Sequence, residues 1–275
     1  LTRAYGMFED SGFGGNIPEL PKALTDGSSM FEGSYVRGNI PELPANLTDG
    51  SRMFKDCYFL SGNIPELPAS LTDGTAMFYS CSGLSGNIPK LPANLTDGSW
   101  MFYYCSGLTG NIPELPNSLR DGGYMFNGCS RLTGNIPKFP NSLSEGTSMF
   151  SGCSGLTGNI PELPDSLSGG NSMFFGCSGL TGNIPELPKS LTEGSYMFSD
   201  CSGLTGNIPE LPARLTGAQG MFSGCSGLSG VTLVNGQYPY QYKPYLNGSI
   251  MVYGCSEAVR QHFPTSWGGT CTTCQ

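Results

Sequence analysis

Residues 180–203 read L-T-G-N-I-P-E-L-P-K-S-L-T-E-G-S-Y-M-F-S-D-C-S-G, and close copies of this string recur along most of the chain. The Gly-Asn-Ile-Pro core places its asparagine at Asn16, Asn39, Asn63, Asn87, Asn111, Asn135, Asn159, Asn183 and Asn207, so the first interval is 23 residues and the later ones are 24. A unit of that length is one turn of chain. It cannot bury its own apolar side chains and must stack on its neighbours to do so. The reading is a solenoid of about nine coils of 23–24 residues, in which function belongs to a long surface rather than to one cleft. Early units are shorter because the cysteine position is missing after Phe8 and Phe31.

Within a unit the breakers set the shape. Two prolines in T-G-N-I-P-E-L-P forbid helix and favour extended backbone. The Asp-Gly of S-L-T-D-G marks a turn, and S-x-M-F-x-x-C has room for one tight turn, 3₁₀ at most. The class is therefore mainly β and irregular. Residues 1–229 form the repeat, and 230–275 hold a degenerate last coil and an irregular C-terminal cap rich in tyrosine. The first coil begins in mid-repeat, which predicts further sequence upstream. At the hydrogen-bonded strand spacing of about 4.8 Å, nine coils would make a rod roughly 45 Å long. Ile64, Leu67, Leu71, Phe78, Leu84 and their equivalents are expected inside. The asparagine column, unchanged over nine copies, is expected to be an inward ladder that satisfies buried backbone at a corner.

Composition bounds the function. The 41 Gly and 21 Pro carry no collagen-like triplet period, and 18 of the prolines fall two to a coil. A formal charge of −8 with 13 scattered basic residues lacks the basic footprint that nucleic acid or anionic membrane requires. No apolar run approaches the roughly 20 residues of a membrane span, so membrane insertion is not expected. Eight cysteines from Cys57 to Cys225 form one column, which Cys255 continues through the echo of the repeat at 246–256. They are expected to be reduced and buried as small apolar side chains, with disulfides between adjacent rungs the alternative, since the rung spacing falls within the Cα separation a disulfide tolerates. Cys271 and Cys274 lie outside the column and are candidates for a local or cap-closing disulfide. A zinc site there would need two more ligands, and His262 is the one histidine.

The segment S-L-T-D-G-T-A-M-F-Y-S-C-S-G-L around Met77, Phe78, Cys81 and Leu84 resembles the BspA-like leucine-rich repeat surface proteins, whose units carry T-D-M-S-x-M-F-x-x-C-x-x-L. The likeness covers residues 1 to about 229. The other half of the unit departs from it, since L-T-G-N-I-P is closer to the L-x-G-x-I-P of plant-type leucine-rich repeats. The resemblance implies a right-handed leucine-rich-repeat-like solenoid outside the cell or on its surface, in a group associated with adhesion. It transfers no catalytic residue.

Positions that change from coil to coil are those the fold leaves free. Around Met-Phe they are small or charged in early coils, as at Ser29, Glu32, Arg52 and Lys55. They become aromatic later: Tyr79, Trp100, Tyr103, Tyr104, Tyr124, Phe175 and Tyr196. These are expected to form one exposed aromatic patch for a protein or glycan partner. Two acidic columns, one from Glu19 to Glu210 and one from Asp26 to Glu193, are read as solvated side chains, the second capping the Asp-Gly turns. Calcium is conceivable there, but no calcium-loop motif is present.

No cofactor is implied. An enzyme lacks support, because no nucleophile–base pair, phosphate loop or singled-out carboxylate pair is present. An ice-binding array is disfavoured because Arg120, Ser144 and Ser168 break the row of Thr25, Thr48, Thr72 and Thr96. Two readings remain: a non-enzymatic adhesion module of the cell surface, and a structural protein that polymerises by end-to-end stacking on the open N-terminal coil that begins at Leu1, its tyrosine-rich tail either capping its own coils or entering the next molecule.

Overall fold

The computed structural model describes residues 1–274. The chain divides into two compact units, Leu1–Thr133 and Gly134–Gln275. Each is a stack of coils and is described by itself.

In the first unit each coil contributes one short parallel strand from its Leu-Thr-Gly-Asn segment. These are β1 (Gly14–Asn16), β2 (Tyr35–Arg37), β3 (Gly62–Asn63), β4 (Leu84–Asn87), β5 (Leu108–Asn111) and the first half of β6 (Leu132–Asn135). Gly62 lies opposite Leu84, Gly86 opposite Leu108 and Gly110 opposite Leu132. Pairing is parallel because every coil returns in the same direction. A second column of bridges runs Arg3, Asp26, Asp49, Asp73, Asp97 and Asp121.

Strand alternation decides what faces outward. In β4 Leu84 is buried, Ser85 exposed, Gly86 intermediate and Asn87 exposed. The asparagine column is therefore not the inward ladder expected from its constancy. All nine asparagines are exposed. The column is held for another reason: the carboxamides of Asn16, Asn39, Asn63, Asn87, Asn135, Asn159, Asn183 and Asn207 each lie over the glycine of the following coil, where a Cβ would collide with them, as at Gly110 under Asn87. Gly110 also has φ +75°, a left-handed conformation in which a side chain is costly. Asparagine on one coil and glycine on the next are one device.

The Met-Phe stretch is neither helix nor strand, and its backbone accounting explains why. Alternate amides close i→i+3 turns, as Met77 N–H does to Gly74 O at 3.0 Å and Tyr79 N–H to Ala76 O at 3.1 Å. The amides between them reach the next coil: Ala76 N–H to Ser99 O at 2.8 Å, Phe78 N–H to Met101 O at 2.9 Å, Ser80 N–H to Tyr103 O at 2.7 Å. Turning successive amides into these two directions places the residue before methionine and the second residue after phenylalanine in the left-handed region, as at Ala76 (φ +51°) and Ser80 (φ +59°).

Like residues stack into the core. Ile64, Leu67, Leu71, Phe78 and Leu84 are buried, and Met77 and Cys81 join them. The phenylalanines form a near-parallel stack, with centroids 5.8 Å apart from Phe54 to Phe78 and 5.7 Å from Phe78 to Phe102 and Phe102 to Phe126. Each rung needs the same volume as the one above it, so one residue type fills the column. The column position is not missing from the early coils; serine fills it. Ser34 stands there, buried, with its N–H donating to Phe31 O at 3.0 Å as Cys57 N–H does to Phe54 O. Ser11 does the same toward Phe8. The residue dropped from the short units lies just after this position.

The second unit repeats the pattern with the rest of β6, β7 (Leu156–Asn159), β8 (Leu180–Asn183), β9 (Leu204–Thr205), β10 (Asn207–Ile208) and β11 (Gly230–Val231). Its bridge column runs Glu145, Gly169, Glu193, Gly217 and Asn247, so the tail re-enters the stack at Asn247. Leu246–Ser256 forms a last coil, with Val252 in the phenylalanine column and Cys255 Sγ donating to Phe222 O at 3.1 Å. Two short helices, α1 (Pro239–Tyr242) and α2 (Glu257–Arg260), and a 3₁₀ turn at Thr265–Trp267 complete the tail. The 3₁₀ turn serves as a further rung, since Ser266 O accepts from Ile250 N–H (3.3 Å) and Trp267 O from Val252 N–H (3.0 Å). The tail thus closes its own stack. Among the described residues no helix is long and apolar enough to cross a membrane.

Candidate functional site: an aromatic cluster on left-handed backbone

In the first unit the structure brings five of the expected aromatic residues together. Tyr79 and Tyr103 stack at 4.6 Å and 14°, and Trp100 and Tyr124 at 5.2 Å and 7°. Tyr103 joins the two pairs, meeting Tyr104 edge-on at 4.6 Å and Tyr124 at 6.1 Å. Trp100 is 40% and Tyr104 52% exposed, while the other three are half-buried. Burial raises the Tyr103 hydroxyl pKa, with the neighbouring tyrosines adding to it. At one margin Lys55 sits 5.7 Å from the Tyr79 ring centroid and pairs with Glu32 at 2.6 Å.

Phe175 and Tyr196 belong to the second unit. Phe175 is exposed and Tyr196 half-buried over Gly220. The single patch of the sequence reading is thus a five-residue cluster within Leu1–Thr133, with these two rings on the other unit.

The backbone under the cluster is its least expected property. Trp100 has φ +54°, Tyr104 +54° and Tyr124 +58°. Left-handed backbone costs an L-residue with a side chain roughly 1–2 kcal/mol, and a bulky residue there is an outlier. Other coils make the undemanding choice: Gly128 occupies the Tyr104 position at φ +76°, and Gly152 and Gly176 do so in the second unit. Left-handed backbone under a side chain recurs at these positions, as at Arg52 (φ +55°), Tyr196 (φ +58°) and Ile250 (φ +50°), but Trp100, Tyr104 and Tyr124 gather three large rings on it within two adjacent coils.

A second exposed group went unread in the sequence. Tyr35 and Phe59 lie 6.1 Å apart, both exposed, with the Arg37 guanidinium 5.1 Å from the Phe59 ring centroid. Tyr58, also exposed, donates to Asp56 Oδ1 at 2.9 Å. The available signal was Cys57-Tyr58-Phe59-Leu60, where later units read Cys-Ser-Gly-Leu.

The remaining columns are occupied by structural work. Asp97 Oδ1 accepts from Ser99 N–H at 2.9 Å and from Ser99 Oγ at 2.6 Å, and Asp26 and Asp49 bind Ser28 and Ser51 alike. Each is an Asx turn. Among the described residues no group of three or more His, Cys, Asp or Glu is arranged to hold a metal. The column cysteines are free thiols donating to the phenylalanine carbonyl of the previous coil, as Cys105 does to Phe78 O at 3.0 Å. Burial raises their pKa, to about 12 at Cys57 and Cys129. Cys271 and Cys274 form a disulfide with Cα atoms 5.5 Å apart.

Stacked coils with one short parallel strand each and like residues in columns define a leucine-rich-repeat solenoid. Residues 48–181 and 146–243 match the BspA type Leucine rich repeat region. The chain belongs to that family. A comparison with curated protein sequences found no match. Among solved structures, a leucine-rich repeat protein from Bacteroides ovatus is similar at 22% identity and a TM-score of 0.51 over 91% of this chain. The chain spans 64% of that protein's length. The T. pallidum leucine-rich repeat protein TpLRR is 29% identical over 60% of this chain and 76% of its own, with a TM-score of 0.46. YopM from Yersinia enterocolitica is 18% identical over 90% of this chain and 57% of its own, with a TM-score of 0.41.

Proposed function

We propose that the protein is a non-enzymatic, extracellular or cell-surface adhesion module, and that the Tyr79, Trp100, Tyr103, Tyr104 and Tyr124 cluster is its face for a protein or glycan partner. The supporting observation is the pairing of exposed rings with left-handed backbone. Most other coils carry glycine, alanine, serine or aspartate at these positions. Rigid aromatic side chains lose little entropy on contact and bring large apolar area, which is what binding anchors do. Membership of a family associated with surface adhesion supports the setting. Phe175 and Tyr196 are proposed as separate, weaker contacts.

The test is a glycan array and a matrix-protein binding panel, run with the wild-type chain and with a variant carrying Trp100→Ser, Tyr103→Ser and Tyr104→Ser. Binding by the wild type and its loss in a folded variant is the expected result. Undiminished binding by the variant would overturn the assignment. End-to-end polymerisation is the less supported reading, because the tail's own backbone occupies the Ile250 and Val252 amides.

A further inference from the structure

We propose that the C-terminal cap carries a second ligand site, for a neutral hydroxyl-bearing ring molecule of saccharide size. It lies entirely in the second unit and is independent of the aromatic cluster.

The cap carries an open cleft of about 630 Å³ lined by Tyr240, Gln241, Thr265, Ser266, Trp267 and Thr272, together with the Cys271–Cys274 disulfide. That volume lies in the range of small-molecule sites, and their usual lining is the one seen here, aromatic walls with a few polar groups. Tyr240, half-buried, supplies the more accessible ring, and it meets Trp267, which is 9% exposed, at 77° with centroids 6.4 Å apart. Around them stand three hydroxyls and a carboxamide. A sugar ring presents the complement, an apolar C–H face with a rim of hydroxyls. None of the lining residues is charged, so the cleft lacks the Arg or Lys that phosphate or carboxylate recognition uses and the carboxylates a cation would need. The smaller cleft beside it, about 420 Å³, is lined by Glu210 and Lys243. There the Lys243 ammonium is committed to Pro212 O and Ala213 O, both at 2.8 Å.

The walls are set before any ligand arrives. Thr265, Ser266 and Trp267 lie on the 3₁₀ turn that the Ile250 and Val252 amides bind as a rung. Trp267 rests on Phe263 at 6.1 Å. Tyr240 is carried by α1, whose leading Tyr238 stacks on His262 at 5.0 Å and shares a 2.9 Å hydrogen bond between its hydroxyl and His262 Nδ1. Gln241 Oε1 accepts from Tyr238 N–H at 2.8 Å, and the segment leading to Thr272 is held by Thr270 N–H to Arg260 O at 2.9 Å and Cys271 N–H to Phe263 O at 3.1 Å. Such preorganisation reduces the ordering cost of binding. A tail required only to close the stack would fill this space with apolar side chains.

The chain has two tryptophans, Trp100 and Trp267, so in a Trp100→Phe background all indole emission comes from the cap. This variant is titrated with galactose, mannose, N-acetylglucosamine, cellobiose and maltose up to about 50 mM, well past millimolar affinity. The expected result is a saturable change in Trp267 emission with at least one sugar. It should weaken at least tenfold in Tyr240→Ala and measurably in Thr272→Val, an exposed and isosteric change that spares folding, with cap integrity followed by near-ultraviolet circular dichroism. The proposal is overturned if no sugar gives a saturable response. It is also overturned if Thr272→Val and a folded Tyr240→Ala bind as the parent does, or if Tyr103→Ser abolishes the response.

Discussion

Tyr104 offers the sharpest check on the strain argument. In Tyr104→Gly the left-handed cost of roughly 1–2 kcal/mol is relieved. The added freedom of glycine in the unfolded chain takes back about 0.5–1 kcal/mol, and the lost edge contact with Tyr103 at 4.6 Å removes about 0.5–1.5 kcal/mol. Tyr104 is 52% exposed, so replacement by glycine or alanine also loses the buried half of the ring, on the order of 100 Å² and about 2 kcal/mol. Tyr104→Gly should therefore fall about 2 kcal/mol below wild type. Tyr104→Ala loses the same contact and keeps the strain, so it should be the less stable of the two by roughly 0.5–1 kcal/mol. That order is the reverse of the usual one, in which glycine is worse than alanine. The assay is equilibrium urea unfolding of both variants beside wild type, read as midpoint shifts at constant slope. An alanine variant as stable as the glycine variant, or more so, would refute the claim that the ring sits on strained backbone.

Further outcomes follow from the columns. Gly110→Ala should destabilise by about 2 kcal/mol or more, combining left-handed strain with the collision against Asn87 Oδ1. Asn87→Ala in the same chain should recover part of that loss, a non-additivity that a double-mutant cycle in urea measures. Asp97→Ala should cost about 1 kcal/mol by removing the acceptor for Ser99 N–H, whereas Asp97→Asn keeps an acceptor and should cost less. Equal losses in thermal unfolding would mean that charge matters rather than the Asx turn. The thiols add an alkaline limit. Burial lifts Cys129 and Cys177 from 9.0 to about 12, so folded thiols keep protons that unfolded ones lose. Their contribution to stability is fully present below pH 9 and declines as the pH rises from there toward 12, which unfolding midpoints across pH 8–11 would reveal as a falling slope.

Much of this fold was readable from the repeat. Ile64, Leu71, Phe78 and Leu84 recur at fixed places because each coil must match the volume of the next, and sequence periodicity reports that directly. Constancy alone points to burial for the asparagine column, and strand alternation overrides it. The alternation of Leu84, Ser85, Gly86 and Asn87 already points the carboxamide outward, and the constancy comes from its seat over the next glycine. The left-handed positions were hidden where tyrosine or tryptophan fills them, although Gly128, Gly152 and Gly176 in the same column carried the signal. Which aromatic rings touch was not legible, since contact depends on ring orientations that the repeat does not specify. Nor was the cap cleft, whose walls come from α1, the 3₁₀ turn and the disulfide, none of which repeats.

The central claim is that the Tyr79–Tyr124 cluster is where a partner docks. Hydroxyl-radical footprinting of the protein with and without a ligand taken from the binding panel tests it most directly, because aromatic side chains report their own solvent exposure. The account predicts that Trp100, Tyr103 and Tyr104 become protected while Tyr245, fully exposed on the tail, stays reactive. Protection confined to the asparagine-bearing strand face or to the tail, with Trp100 and Tyr104 unchanged, would contradict it.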